Sequence, residues 1–238
     1  MKNKFKKIFL TMWENAYKQN KKNIIDLVDK NSHAVFIDLG CDDGVWTKKI
    51  AQKINTKNVF GLDYVKARLN KAKTLKIKTK KGNLNEKFPF RSNFFDVVHS
   101  NQVIEHLIEI DSFILEIYRI LKPGGYAIIS TENLASWHNI FSLVMGWQAF
   151  SQHVSKKYHI GNPLSPHFEE DLKEGWTHNI IFTLYSLKEI FKKYGFTIEE
   201  VRGAGYYPLP GVFAKIDPYH SHFISIKIKK PDSKKQLF

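Results

Sequence analysis

One cysteine in 238 residues, Cys41, leaves no second thiol for an internal disulfide and no cysteine spacing for a zinc site. Arginine is nearly as scarce. Arg68, Arg91, Arg119 and Arg202 are the only four among 37 Lys and Arg residues, so the net charge of +14 is carried by lysine. Lysine acts as a point charge and lacks the planar fork that reads phosphates and base edges. The charge therefore offers nonspecific attraction, and a nucleic acid is not the favoured partner; a membrane surface or an acidic substrate would exploit the same field. No apolar run is long enough to span a bilayer. The start of the chain, lysines followed by Ile8-Phe-Leu-Thr-Met-Trp13, imitates a signal peptide, but the stretch is short and Glu14-Asn15 follows without a small-residue cleavage site. The cytoplasm is the expected location. Also missing are G-x-x-x-x-G-K-[ST] and G-x-G-x-x-G, which removes the P-loop and the dinucleotide fingerprint.

What is present is a globular composition, 43% apolar and 14% aromatic, at a length that suits one large α/β domain. Phe5, Ile8, Phe9, Met12 and Trp13 recur at helical spacing with lysines opposite. This predicts a helical segment over residues 1–30, docked on a domain formed by residues 31–238. Within that domain strands are expected at Ala34–Leu39, Asn58–Asp63, Ile77–Lys80, Phe95–Ser100, Tyr126–Thr131, Thr197–Arg202 and Phe223–Lys229. Helices are expected at Val45–Lys53, Val65–Leu75, Ile108–Ile120 and Ser186–Tyr194, with a turn at Leu121-Lys-Pro-Gly-Gly125. The alternation predicts a mainly parallel sheet with helices on both faces. It breaks over residues 133–180, which read as an insertion of helix and loop.

The most informative segment is Phe36-Ile-Asp-Leu-Gly-Cys-Asp-Asp-Gly-Val-Trp-Thr47, a strand that turns on two glycines into a helix. Open α/β sheets cradle nucleotide-like cofactors at such a turn. Asp38, Asp42 and Asp43 would repel a pyrophosphate there but would attract a ligand carrying a sulfonium and an ammonium, as S-adenosylmethionine does. Cys41 reads as a small residue packed under the loop. The other strand ends complete the pattern. Asp63, nineteen residues after Gly44, is placed to accept both ribose hydroxyls. Asn83 and Leu84 are placed to flank an adenine, and Ser100-Asn101-Gln102 end the fourth strand as a polar patch.

These segments, with Val59–Asp63, Gly82–Leu84, Phe94–Leu107 and Ile120–Ile129, resemble the successive motifs of class I S-adenosylmethionine-dependent methyltransferases. The resemblance is to the small-molecule branch that includes ubiquinone-type O-methyltransferases. It implies a Rossmann-like, seven-stranded, mostly parallel sheet whose last strand, Phe223–Lys229, is antiparallel. By the same resemblance Asp38, Gly40 and Gly44 hold the methionine end, Asp63 the ribose, and Asn83 and Leu84 the adenine, while Ser100 and Asn101 close the pocket. Two positions depart from the family. Asp42 replaces the middle glycine of the turn and would weaken cofactor binding if it crowded the pocket, and Asn83 stands where Asp is common.

Methyl transfer from a sulfonium mainly needs alignment, which contributes roughly 7–11 kcal/mol in well-oriented systems. A base is needed only for an acceptor that must lose a proton. His106 and His178 are the candidate bases, with Glu105 read as structural. In ubiquinone-type relatives the Glu-His pair lies near the substrate, sometimes with a metal; no metal ligand is assigned in this chain. Residues 133–180 form the expected substrate cap. Its stripe of Trp137, Ile140, Phe141, Val144 and Met145 is expected to pack as core, although an outward stripe would suit a lipid-linked acceptor. Gly205-Tyr-Tyr-Pro-Leu-Pro210 is of a kind associated with glycan pathways. The expected activity is methyl transfer to oxygen of a small-molecule, glycan or lipid-linked acceptor. The alternative is a non-catalytic module that binds RNA or membrane through its basic surface, or an RNA methyltransferase. A fourth strand ending in Ser-Asn-Gln lacks the Asn-Pro-Pro-Tyr type of base-holding motif and weighs against the last.

Overall fold

The computed structural model describes residues 2–168, 170–172 and 177–232, with side chains from residue 6 onward, so the Phe5 side chain lies outside the described residues. A long helix α1 (Lys2–Leu27) precedes β1 (Val35–Leu39), α2 (Val45–Ile54), β2 (Asn58–Asp63), α3 (Lys66–Thr74), β3 (Lys78–Lys81) and β4 (Phe95–Asn101). There follow α4 (Ile110–Ile120), β5 (Leu121–Glu132), α5 (Trp137–Val144), α6 (Leu184–Lys193), β6 (Thr197–Ala204), α7 (Phe213–Ile216) and β7 (Phe223–Lys229). The seven strands form one sheet in the order β3-β2-β1-β4-β5-β7-β6. The pairs from β3 to β5 are parallel, and β7 runs antiparallel to both β5 and β6. The chain order reverses direction across the sheet between β1 and β4, which opens a crevice at their carboxyl ends.

Each central strand is apolar on both sides because both faces are covered. Ile37, Leu39, Val98 and Ile129 face α4 and α6 through Ile114, Ile117, Leu187 and Phe191. Phe36, Val97 and Ile128 face the other way, onto Ile24 and Leu27 of α1 and onto Ile50, Ile54 and Ala72. Helix α1 is fastened by a polar hub as well as by this apolar seam. The buried Asn20 amide donates to Asn101 Oδ1 and Ser130 Oγ, and its oxygen accepts from the hydroxyls of Ser130 and Ser225. The start of α6 is fixed by a capping box between Thr183 and Ser186. No described helix is long and apolar enough to cross a membrane.

Two expectations are corrected. The 121–125 turn is part of β5, since Leu121 pairs with Phe95 and Tyr126 with Val97, and the intervening residues bulge out of register. Gly124 accommodates this at φ 76°, and Lys122 reaches back to both oxygens of Asp96. The stripe on α5 is not core. Trp137, Phe141, Val144 and Met145 are exposed, while Asn139 and Ser142 are buried. The Asn139 amide donates to the Asn133 carbonyl and to Ser151 Oγ, and Ser142 Oγ accepts from Asn162. The space beneath α5 is polar, so the helix turns its apolar side outward.

Candidate active site

The turn after β1 is built on two left-handed glycines. Gly40 has φ 79°, and an added Cβ would lie 2.5 Å from Val103 Cγ2. At Gly44, φ 81°, a Cβ would lie 3.0 Å from the Ala72 backbone. Asp42 takes the third left-handed position at φ 48°, a region that Asp tolerates better than most residues. Its side chain does not crowd the site. It is exposed and pairs with Arg68 Nε at 3.2 Å, while its N–H donates to Asp63 Oδ2 at 2.9 Å.

A cavity of about 430 Å³ opens beside this turn, lined by Gly40, Asp63, Asn83, Leu84 and His106, with Lys156 and Thr177 from the segment after β5. Asp63 is buried at the end of β2. One oxygen accepts the Val65 N–H and the other the Asp42 N–H, which leaves each with accepting capacity toward the cavity. Asn83 lines the cavity, but its side chain is committed to the local turn. Its Oδ1 accepts from the Asn85 N–H and side-chain amide, and its Nδ2 donates to Glu86. In this arrangement the oxygen is occupied by Asn85. Leu84 contributes an apolar wall.

Asp38 lies beneath the turn rather than on the cavity. Its carboxylate is buried, accepts from Thr47 Oγ1 and lies 2.7 Å from His99 Nδ1. It braces the strand against α2. Cys41 is buried, and burial first, then the carboxylates of Asp38 and Asp63, push its thiol far up, as a packing residue requires. Ser100 and Asn101 end β4 beside the turn. Ser100 Oγ is buried without a partner, and Asn101 Oδ1 accepts from Asn20.

Past β4 a 3₁₀ turn at Ile104–His106 carries Glu105 and His106. The segment after β5 brings His178 onto them, because the N–H groups of Asn179 and Ile180 donate to the Glu105 carbonyl and the Asn179 amide donates to the His106 carbonyl. The two imidazole centres are 4.9 Å apart. His106 Nδ1 donates to the Thr177 carbonyl at 3.0 Å and His178 Nδ1 to the Ser151 carbonyl at 2.6 Å. Both rings are thereby fixed with Nε2 as the basic nitrogen. Burial, then the neighbouring His178, lowers the His106 pKa.

Glu105 is fully buried, and neither carboxylate oxygen has a hydrogen-bond partner. Burial pushes its carboxyl up to about 7. Ligand atoms of Glu105, His106 and His178 lie within 4.8 Å of one another, a group able to hold a metal ion. Beyond them Glu132 Oε2 is 4.0 Å from His178 Nδ1, and Glu132 Oε1 is 3.7 Å from His222 Nε2. Burial acts to raise the Glu132 carboxyl, but these histidines outweigh it and hold it low. His153 packs 5.0 Å from His178, and burial with that neighbour lowers it to about 4. The sequence reading missed Glu132, His153 and His222. The crowding of histidines after residue 137 was the available signal.

A family described as a methyltransferase domain matches residues 12–201. The chain is 26% identical over 173 residues to the malonyl-[acyl-carrier protein] O-methyltransferase of Calditerrivibrio nitroreducens, covering 64% of each. It is 28% identical over 150 residues to the ubiquinone biosynthesis O-methyltransferase of Rickettsia prowazekii, covering 57% of this chain and 58% of that one. The chain thus spans less than two thirds of the length of these relatives. In fold it resembles the S-adenosylmethionine-dependent methyltransferase of Mesorhizobium loti, with a TM-score of 0.59 at 14% identity over 88% of this chain and 96% of that one. A methyltransferase of Methanosarcina mazei gives 0.59 at 17% identity over 85% and 95%.

Proposed function

From the premise that the chain belongs to the class I S-adenosylmethionine-dependent methyltransferase family, we propose that it methylates an oxygen of a small acceptor held under residues 133–180. The observation that carries this reading is that His106 belongs both to the cavity and to the group of buried Glu105 with half-buried His106 and His178. The cavity fits the cofactor. Asp63 has accepting capacity for the ribose hydroxyls, Leu84 supplies an adenine wall, and Gly40 lines the same cavity in a left-handed turn packed on Val103.

The bound cofactor supplies a methyl group already activated on a sulfonium. The chain's own task is to hold an acceptor hydroxyl in line and to take its proton. His178 Nε2, its tautomer set by the Ser151 carbonyl, is the proposed proton acceptor, with His106 beside it. The backbone bonds from Asn179 and Ile180 to the Glu105 carbonyl hold the group together. The outward apolar face of α5 supports an acceptor presented on a lipid.

Incubation with methyl-labelled S-adenosylmethionine and fractionated small-molecule and lipid extracts tests this. Label is expected in an O-methylated small or lipid-linked product. His178→Ala lowers transfer about 10²–10³-fold while leaving cofactor affinity within twofold. Label confined to RNA, or equal turnover in the variant, would sink the assignment.

A second reading rests on the unpartnered Glu105 oxygens, since two imidazoles and a carboxylate suit a divalent ion. Saturation with Mn²⁺ or Zn²⁺ then raises Tm by about 5–10 °C, and Glu105→Gln abolishes the rise. An unchanged Tm leaves these residues to proton transfer alone.

A further inference from the structure

Helix α5 is not alone in turning apolar side chains outward. Trp137, Phe141, Val144 and Met145 fall on one of its faces, at i, i+4, i+7 and i+8, and all four are exposed. Helix α7 does the same with Phe213 and Ile216, and with Val212 just before it. The two sets adjoin. Trp137 stacks on His220 at 4.4 Å, and His220 Nδ1 lies 2.6 Å from Asp217 Oδ2, which also accepts the Tyr206 hydroxyl. Tyr206 in turn packs on Phe213 at 6.0 Å. Val144 and Ile216 are the most exposed of the set, at 79% and 81%.

Neither helix is free to turn this side inward. Asn139 and Ser142 hold α5 through their bonds to Asn133, Ser151 and Asn162. Ala214 is the buried residue of α7, and it lies so close to β6 that a Cβ on Gly203 would stand 2.7 Å from its carbonyl oxygen. The charge around the face is of one sign. Residues 133–168 contain no Asp or Glu and carry Lys156 and Lys157. Residues 203–216 contain none either and carry Lys215, exposed between Phe213 and Ile216. Two copies of a chain at +14 would meet here with like charge, whereas an anionic bilayer meets the same face with opposite charge.

We propose that the α5–α7 face docks on the surface of a bilayer with anionic headgroups, its apolar side chains seated at the boundary of headgroups and acyl chains and Lys215 among the headgroups. The docking goes beyond the methyl-transfer reading and needs neither cofactor nor acceptor. Its bearing on that reading is one of place. Helix α5 belongs to the segment that also carries Lys156 and Thr177 into the cavity wall, so an acceptor held in the bilayer would be brought to the same cap.

The test is co-sedimentation of the full chain with vesicles of phosphatidylcholine alone and of phosphatidylcholine mixed with phosphatidylglycerol. Binding to the mixed vesicles, with little to the neutral ones, is expected. Val144→Glu and Ile216→Glu each weaken it about tenfold, and Lys215→Met about fivefold. Leu115→Glu, which adds the same charge at an exposed apolar position of α4, changes nothing. Circular dichroism checks that each variant is folded. Absence of binding to the mixed vesicles, the same loss in Leu115→Glu, or binding untouched by both the α5 and the α7 substitution would overturn the docking face. So would a dimer in sedimentation velocity that the same two substitutions dissociate, since a second copy would then occupy the face. Vesicle binding by a chain that fails to bind S-adenosylmethionine would keep the docking face and remove the methyl-donor reading.

Discussion

Asp63→Ala weakens S-adenosylmethionine binding about a hundredfold or more. The carboxylate sits at the end of β2 with one backbone donor on each oxygen, and the remaining capacity faces the cavity. Hydrogen bonds to a charged group contribute about 1.5–3 kcal/mol each, and 1.4 kcal/mol is tenfold in affinity. Two ribose hydroxyls on this carboxylate therefore account for about two decades. The same substitution also frees the Asp42 N–H, which Asp63 holds in the turn, so the loss extends beyond the ribose contacts. Asp63→Asn keeps one accepting oxygen and is expected to lose about tenfold. Titration calorimetry reads both variants, with circular dichroism to show that the sheet is intact. Unaltered affinity in Asp63→Ala would show that this strand end does not hold the ribose.

Glu105→Gln stabilises the metal-free protein above neutral pH and has little effect near pH 4. Burial raises the folded-state carboxyl to about 7, against a value near 4.3 in an unfolded chain. A carboxyl raised in this way favours folding while protonated in both states. Its contribution is therefore fully present below about pH 4, and it is lost as pH rises from there through about 7. The shift corresponds to about 3–4 kcal/mol of stability lost across that window, at 1.36 kcal/mol per unit. Glutamine has no such titration. Urea unfolding in chelating buffer from pH 4 to 8 should give a difference between the two proteins that widens with pH and levels off above about 8. The groups facing Glu105 are His106, His178 and Glu132, and Glu132 is already held ionised, so its own titration lies outside the window. Parallel pH profiles would mean that water or a counter-ion compensates the carboxylate.

The central sheet was legible because its strands carry continuous apolar runs and end in polar residues with separate jobs. Asp63 and Gly40 both line the cavity, because a strand end fixes where its last residues emerge. For Asp38 and Asn83 the sequence could not give the side-chain partners. Thr47 and His99 take up Asp38, and Asn85 takes up the Asn83 oxygen. Periodicity located the stripe on α5 but gave no sign for its direction. That direction is set by the buried Asn139, Ser142 and Ser151, whose hydrogen bonds hold the polar side inward. Glu132 and His222 meet only because β7 pairs antiparallel with β5, which sets Glu132 opposite Phe223.

Titration of the purified chain with S-adenosylmethionine and S-adenosylhomocysteine tests the account most directly. Saturable binding of both with micromolar Kd, at one site per chain, is the predicted result. Absence of binding at millimolar ligand would contradict it, because the acidic glycine turn and the Asp63 carboxylate would then have no methyl donor to hold.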